Sequence, residues 1–304
     1  MKDERRIDAR WPYDSVSRRR ARSLWRTATA AARARSMHPA VIPMYWWDGH
    51  PNFGDALTPW VLARRGIVAI HTPVSDARAV GIGSLIDQLP GDFDGMVWGS
   101  GLLRDTETRL PHARVLAVRG PLTRERLGLG TDVALGDPGL LVGAHLRRPA
   151  PRWRLGVVPH GFHHADSALE RLGRQAGVRS IDVRSTPSVV MAQIARCEAV
   201  LTTSLHGLIV ADALGISAAW TQREPRLWGG DFKFRDYEAV VSPGRSRERD
   251  IDESMDLDQV VRACGLPDGD ALRPSISELE ATIAQLPVVP SCLWDVHSLR
   301  TKAS

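Results

Sequence analysis

Short apolar runs alternate with helical patterns over residues 155–221, and this alternation restricts the fold more than any other feature of the chain. The predicted strands cover 155–158, 180–183, 199–202 and 217–221, and the predicted helices cover 166–176, 187–197 and 207–214. Strands that are separated by helices lie parallel in one sheet, because each helix crosses over the sheet to reach the next strand. The second half of the chain is therefore predicted to form a doubly wound, Rossmann-like α/β domain.

The first half of the chain shows a weaker form of the same alternation, and a stretch rich in proline and charge at 143–151 separates the two series. We therefore predict an arm at 1–36, an N-terminal α/β domain at 37–146, a Rossmann-like domain at 147–242 and a helical tail at 243–304. One helix of the tail is expected to pack back on the first domain.

Positive charge is concentrated in the arm. Residues 1–36 contain ten Arg and one Lys against four acidic residues, a local charge of +7, whereas the whole 304-residue chain carries +5. The rest of the chain is therefore not basic, which argues against nucleic-acid binding. The arm places Trp11, Leu24 and Trp25 among its arginines, which is typical of either a solvated flexible tail or an amphipathic helix on an anionic membrane.

The cysteines and the apolar segments indicate a cytoplasmic protein. Cys197, Cys264 and Cys292 are odd in number and widely spaced, which fits neither a disulfide framework nor a zinc site. No segment approaches the roughly 18 apolar residues of a membrane span, and the arm lacks the apolar stretch of a secretory signal. We expect no metal, and the sequence leaves the oligomeric state open.

The run TTSLHGLIVADALG follows an apolar strand directly and places Ser204, Leu205, His206 and Gly207 at the start of a predicted helix. The first N–H groups of a helix have no partner within it and carry the positive end of its dipole, so that they favour an anion. A phosphate or carboxylate bound there would lie within reach of His206. The alternative is a core helix, capped by Ser204, whose histidine only packs.

A second strand–loop–helix pattern, YWWDGHPNFGDALTPW, opens the predicted N-terminal domain. Asn52, Gly54 and Asp55 lie in a predicted tight turn, in which glycine permits a close approach of the backbone. Asp55 either caps the helix that follows or offers its carboxylate to a ligand.

Six short motifs, in this order, resemble those of the polysaccharide pyruvyltransferase family. They are WWDGHPNFGD at 46–55, WGSG at 98–101, VRGPLTR at 118–124, GDPG at 136–139, VPH at 158–160 and SLHG at 204–207. The resemblance extends from about Val41 to Tyr237, and the first motif looks most like the branch that acts on bacterial exopolysaccharide repeat units. It implies two Rossmann-like domains that face a cleft, as in GT-B glycosyltransferases. It also implies transfer of pyruvate from phosphoenolpyruvate to two hydroxyls of one sugar, which forms a cyclic ketal, releases phosphate and needs no cofactor.

On this resemblance the second domain is the donor side. Ser204, Leu205 and Gly207 at the helix start would bind phosphoenolpyruvate. They would be joined by basic residues, namely Arg119, Arg124, His160 and Lys233, of which the arginines could bind phosphate or carboxylate oxygens in a bidentate manner. His206 is predicted to be catalytic because imidazole titrates near neutrality, although it could instead only bind the carboxylate. Lys233 matches a basic position of the family, and otherwise it is a surface residue.

The first domain would then be the acceptor side. Asn52, Gly54 and Asp55 would contact sugar hydroxyls, with Asp55 as the predicted base. Trp46 and Trp47 could stack on a pyranose face, or one of them belongs to the core, because alternate residues of a strand point to opposite sides. The expected acceptor is a lipid-linked oligosaccharide at the inner face of the plasma membrane, with the arm as a possible membrane contact.

Two other functions fit the same sequence. One is a sugar-nucleotide-dependent glycosyltransferase of the GT-B type, in which the helix start would bind a diphosphate, although no convincing acidic residue follows this helix to bind a ribose. The other is an inactive carbohydrate-binding relative. Asp137, in the GDPG motif, is interpreted as a turn former rather than a catalytic residue.

Overall fold

Two β-sheets with surrounding helices make up the fold, which a computed structural model describes for residues 12–34, 39–252 and 254–290. The strands in these ranges are β1 (Ala40–Tyr45), β2 (Ile67–His71), β3 (Ala79–Val80), β4 (Met96–Ser100), β5 (Arg114–Val118), β6 (Ala134–Leu135), β7 (Trp153–Val158), β8 (Val178–Ser180), β9 (Cys197–Thr202), β10 (Ser217–Trp220) and β11 (Val289–Pro290). The α-helices are α1 (Val16–Ala34), α2 (Leu57–Ala63), α3 (Pro121–Leu127), α4 (Ser167–Gly173), α5 (Pro187–Ile194), α6 (Leu205–Ala213), α7 (Phe232–Val241), α8 (Leu257–Ala263) and α9 (Gly269–Thr282).

The strands of both sheets are almost all parallel. In the first sheet β1 pairs with β2 and with β3, and β4, β5 and β6 follow β3 in that order, while β11 alone runs antiparallel beside β1. The second sheet has the order β10–β9–β7–β8 and is parallel throughout. Parallel neighbours require crossover connections. α-Helices supply these between β1 and β2, between β5 and β6 and along the second sheet, whereas the described segment from β4 to β5 contains no helix. The predicted α/β class with parallel sheets is therefore confirmed.

The predicted strand at 180–183 differs from the structure, in which β8 ends at Ser180. Ile181 and Val183 are nevertheless only 1% exposed. The carbonyl of Val183 accepts a hydrogen bond of 2.9 Å from the N–H of Phe53, which lies in the loop after β1. The apolar pattern thus detected burial against the rest of the core and not a longer strand.

The sequence patterns do not predict α7, because its buried face carries charged residues. Asp236 and Glu238 are 0% and 3% exposed, and they form ion pairs with Arg119 and Arg247 respectively. A core face that contains carboxylates shows no clear apolar period, although the helix also buries Tyr237 completely.

The N-terminal arm forms the helix α1 in its described part. Ala30 on this helix is 3% exposed and packs with Ala63 of α2 and Val68 of β2. Residues 16–34 of the arm are thus helical and packed at Ala30, whereas a contact of this helix with a membrane stays a prediction. The arginine-rich helix uses one face to cover the edge of the first sheet.

The opposite face of α1 stays exposed, with Leu24 and Trp25 at 72% and 51% exposure. No helix within the described ranges combines the length and the apolar character needed to cross a membrane. Trp11 and Cys292 lie outside the described residues, whereas the thiols of Cys197 and Cys264 are both free.

The helical tail divides between the two sheets. α8 lies beside β7 and β9. α9 packs on the first sheet, where the indole N–H of Trp98 donates to the hydroxyl of Thr282 (2.9 Å) and the hydroxyl of Ser275 donates to the carbonyl of Leu135 (2.7 Å). β11 then pairs with β1. The last part of the described chain therefore packs against the first sheet.

Candidate functional site

A cleft of about 1000 Å³ lies where loops from the two sheets meet. Its walls come from segments that follow the carboxyl ends of β1, β4, β7, β9 and β10, together with residues before α1 and after β3. In parallel α/β folds this edge of a sheet is the usual position of a ligand. The lining residues are Tyr13, Trp47, His50, Asn52, Asp55, Ser84, Leu85, Gln88, Leu103, His160, Phe162, Ser204, Leu205, His206, Leu227, Trp228 and Lys233.

The loop after β1 is held in place by hydrogen bonds that its backbone N–H groups donate. The carboxamide oxygen of Asn52 accepts a hydrogen bond from the N–H of Gly54 (3.0 Å), as predicted for a tight turn. The side chain of Phe53 is fully buried. Since the N–H of Phe53 also bonds to Val183, this loop of the first sheet is attached to the second half of the chain.

Gly54 and His206 approach each other so closely that no other residue fits at position 54. A Cβ atom built on Gly54 would lie 2.1 Å from Nδ1 of His206. The ring of Phe53 meets the imidazole edge to face, with 6.4 Å between ring centroids. The glycine and the histidine of two motifs that lie 152 positions apart are therefore in direct contact.

The other side of His206 faces Asp137, which the sequence presented as a turn former. Oδ1 of Asp137 accepts a hydrogen bond from the N–H of Gly139 (2.8 Å) and caps the 3₁₀ helix Pro138–His145. Oδ2 lies 3.7 Å from Nε2 of His206. Neither of these two buried atoms has a hydrogen-bond partner among the described residues. Asp137 is thus both a cap and a negative charge beside the histidine, and only the second role was missed.

Asp55 also lies in the cleft, and it does not cap α2. The N-cap position of α2 is occupied by Ala56, and no side chain caps that helix. The capping alternative is therefore wrong. Burial raises the pKa of Asp55 to about 6, although the positive charges of His206, Arg26 and Lys233 act in the opposite direction. A carboxyl group with this pKa can exchange a proton near neutrality.

Basic groups line the cleft around these carboxylates. Lys233 lies in the first turn of α7, and burial together with the charge of Arg119 lowers its pKa to about 8. Burial and the nearby Lys233 and His163 hold the pKa of His160 well below its usual value. A bound anion would favour the protonated forms of these groups. The arrangement is suited to a small, multiply charged anion.

The start of α6 adds main-chain donors to this environment. Ser204 occupies the N-cap position without a side-chain hydrogen bond to the helix. The bonds within the helix begin with the N–H of Gly207, which donates to the carbonyl of Ser204 (3.0 Å), so the N–H groups of Leu205 and His206 are outside that series. Gly207 itself packs on β9, because a Cβ there would lie 2.5 Å from the hydroxyl of Thr202. Gly207 is not among the residues that line the cleft.

Arg119 differs most from its predicted role. Its side chain is fully buried, and its guanidinium donates to Asp236 (3.0 Å), the hydroxyl of Ser84 (2.8 Å) and the carbonyl of Leu102 (2.6 Å). These partners occupy all three nitrogens, so the group is not available to bind a phosphate in a bidentate manner. Arg119 instead binds Asp236 of α7, the helix that carries Lys233, and its charge helps to lower the pKa of Lys233.

Two other predicted residues lie away from the cleft, and one lies in it. Arg124 is on α3 and is not part of the lining. Trp46 is fully buried beside His71, at 4.8 Å between ring centroids. Trp47 lines the cleft. Trp46 and Trp47 follow the end of β1 at Tyr45, and of the two alternatives the structure has one tryptophan in the core and the other at the cleft.

Nine lining residues had no assigned role in the sequence, namely Tyr13, His50, Ser84, Leu85, Gln88, Leu103, Phe162, Leu227 and Trp228. His50 lies within the motif at 46–55, whereas the others lie outside the six motifs. Within the described part of the chain, no three His, Cys, Asp or Glu side chains are grouped to hold a metal.

Comparison with known proteins agrees with the motifs. Residues 79–221 match the sequence profile of the family described as polysaccharide pyruvyl transferase. The succinoglycan biosynthesis protein ExoV of Rhizobium meliloti (strain 1021) is 26% identical over 204 residues, which cover 64% of this chain and 63% of ExoV. The uncharacterized protein L143 of Acanthamoeba polyphaga mimivirus is 32% identical over 123 residues, which cover 38% of this chain and 43% of L143. The matched part of this chain thus spans less than two thirds of either relative.

The raised pKa of Asp55 makes a prediction about stability. The folded state holds the Asp55 proton more tightly than the unfolded chain, so the free energy of unfolding falls as the pH rises from about 4 to about 6. The rise from 3.8 to about 6 corresponds to about 3 kcal/mol. We expect Asp55→Asn to be more stable than the wild type at pH 7 by up to this amount, and to lose this pH dependence.

Urea unfolding at several pH values measures the difference. The exposed Asp92→Asn serves as a matched control and should follow the wild type. If Asp55→Asn and the wild type show the same pH dependence of unfolding, the pKa of Asp55 is not raised in the folded state.

Proposed function

We propose that this chain, which belongs to the polysaccharide pyruvyl transferase family through residues 79–221, is a pyruvyltransferase. It would transfer pyruvate from phosphoenolpyruvate to two hydroxyls of one sugar. The product is a cyclic ketal, and phosphate is released. The observation that carries the proposal is the meeting of Asp55, His206 and the start of α6 in one cleft. This combination offers two proton-transfer groups beside an anion site.

The donor would bind at the start of α6. Its phosphate and carboxylate can accept hydrogen bonds from the N–H groups of Leu205 and His206, and the charges of Lys233 and His160 lie in the same cleft. Phosphoenolpyruvate is small and strongly anionic, which agrees with the concentration of basic groups there. Arg119 takes no direct part in this binding.

His206 would supply the proton that starts the reaction. Protonation of the methylene carbon leaves a cationic C2, which a sugar hydroxyl attacks as it loses its proton to Asp55. Asp55 gives that proton to the phosphate as it leaves. The second hydroxyl then attacks the same carbon and gives its own proton to the now neutral His206, which completes the ketal and restores both groups. Asp137 stabilises the protonated imidazole through the carboxylate oxygen at 3.7 Å.

We further propose that the two sheets belong to two lobes of a GT-B-like enzyme. Support comes from the parallel strands of each sheet and from a cleft at their carboxyl ends. The first lobe would bind the acceptor, through Asn52, Asp55 and Trp47, and the second the donor.

The acceptor would be a lipid-linked oligosaccharide at the inner membrane face. The exposed side of α1 supports this part of the proposal, because Leu24 and Trp25 project there beside the 79% exposed side chain of Arg18. Apolar and cationic residues on one helix face suit an anionic membrane surface.

The test of the proposed function is a direct assay. Purified protein is incubated with phosphoenolpyruvate and candidate glycans, and phosphate release is followed together with the mass gain of the glycan. We expect His206→Ala to abolish both signals, with His112→Ala, an exposed histidine, as the unaffected control. Saturable binding of a UDP- or GDP-linked sugar without binding of phosphoenolpyruvate would favour the glycosyltransferase alternative instead.

The role of Asp137 is tested by Asp137→Asn. Asparagine can still cap Gly139, because its carbonyl oxygen replaces Oδ1, but it carries no charge toward His206. We expect kcat to fall roughly 10²-fold to 10⁴-fold with little change in thermal unfolding, and the pH–rate profile to shift to lower pH. Asp256→Asn, which keeps a cap of α8 far from the cleft, is the control. An unchanged pH–rate profile would reduce Asp137 to a cap.

Membrane contact is tested by changing the exposed face of α1 without removing the helix. We expect the double variant Leu24→Glu with Trp25→Glu to sediment less with vesicles rich in phosphatidylserine at low salt. Leu266→Glu, at a leucine that is 50% exposed, should have no effect on sedimentation. Equal sedimentation of the double variant and the wild type would contradict the membrane proposal.

A further inference from the structure

The segment just before α1 enters the cleft, although none of the motifs includes it. Tyr13 lines the cleft and meets Trp47 edge to face, with 5.5 Å between ring centroids. Its ring also lies 6.0 Å from that of His50. Tyr13 is 36% exposed, so that part of its ring remains open at the cleft. The arm therefore adds an aromatic wall to a site built mainly by the loops of the two sheets.

A buried group of charges attaches this segment to the loop after β1. The N–H of Asp14 donates to the carbonyl of Gly49 (2.8 Å). Arg22, on the first half of α1, donates through Nε to a carboxylate oxygen of Asp48 (3.1 Å) and through Nη2 to the Asp48 carbonyl (2.7 Å), and it also pairs with Asp14. Arg26 adds a second contact to the Asp48 carboxylate at 3.6 Å.

Breaking this attachment costs more free energy than breaking a surface ion pair. The side chains of Arg22 and Asp48 are only 16% and 9% exposed, so their charges are poorly screened, and loss of either one leaves the other buried with one partner fewer. Because Asp14 follows Tyr13 directly, the ion pairs fix the position of the Tyr13 ring relative to Trp47. The arginines on this face of the arm therefore hold a cleft wall in place.

The chemistry of the wall differs from that of the anion site. Tyr13 and Trp47 meet ring to ring, and each carries a polar group at its edge, a hydroxyl and an indole N–H respectively. A pyranose ring has an apolar C–H face and a rim of hydroxyls, which aromatic side chains with a polar edge can match. Asn52 and Asp55, from the same loop as Trp47, line the cleft as well and can accept hydroxyl hydrogen bonds.

We propose that Tyr13 and Trp47 form the binding site for a hexopyranose ring of the acceptor, and that Arg22 positions Tyr13 there through Asp48. The inference rests on the proposed function for the identity of the acceptor. The arm is then a part of the acceptor site, whatever its other face contacts.

The experiment measures sugar binding separately from transfer. Methyl β-D-galactopyranoside and methyl β-D-glucopyranoside serve as probes, and their dissociation constants are obtained by ligand-observed NMR on the full chain. We expect Tyr13→Ala to weaken binding of at least one probe roughly fivefold to tenfold, and Tyr13→Phe, which keeps the ring, to bind within about twofold of the wild type. Binding of phosphoenolpyruvate, measured by calorimetry, should not change in either variant.

Arg22→Met tests the positioning role, with the exposed Arg20→Met on the same helix as its matched control. We expect Arg22→Met to weaken probe binding about as much as Tyr13→Ala, and the double variant to bind no more weakly than either single one, because both changes remove the same wall. In the transfer assay the same variants should raise the KM for the glycan acceptor and leave kcat and the KM for phosphoenolpyruvate close to the wild type.

The outcomes separate this inference from the proposed function. Probe binding that depends on Tyr13, without any pyruvyl transfer, would support the aromatic site and contradict the proposed reaction. Transfer with an acceptor KM that Tyr13→Ala leaves unchanged would overturn the inference alone. The inference would also be overturned if the wild type bound neither probe at concentrations on the order of 100 mM, or if the wild type and Tyr13→Ala bound the probes equally.

Discussion

The contact between Gly54 and His206 is the constraint on which the site depends. The imidazole occupies the space where any side chain at position 54 would begin, and the neighbouring Phe53 is buried and bonded to Val183. These contacts join a loop of the first sheet to the start of a helix of the second. Because packed interiors tolerate little displacement, this closeness sets how far Asp55 lies from the start of α6.

Burial then gives the cleft its chemical character. The same exclusion of water raises the pKa of Asp55 to about 6 and lowers that of Lys233 to about 8. Both pKa values are therefore closer to neutral pH than the usual values of these groups. Opposite displacements in one cleft are typical of sites that transfer protons. Asp137 extends this arrangement, since its cap to Gly139 holds one carboxylate oxygen while the other faces His206.

Much of the site follows from local patterns, because the ends of parallel strands converge in space. Eight predicted residues line one cleft, namely Trp47, Asn52, Asp55, His160, Ser204, Leu205, His206 and Lys233. Arg119 shows the limit of this reasoning. The guanidinium in the motif at 118–124 has the chemistry of a phosphate ligand, but its carboxylate partner Asp236 lies 117 positions away and cannot be identified from spacing.

The sequence alone determined the α/β class, the parallel strands and the two turns that meet at the cleft, because hydrophobic period, glycine and helix-start residues act over a few neighbouring positions. Only the tertiary structure decided which polar groups stay available. In the folded chain Arg119 binds Asp236, and Asp55 does not cap α2. Asp137 faces His206, and Tyr13 lies beside Trp47. Each of these outcomes depends on distances between residues far apart in the chain, which no local pattern contains.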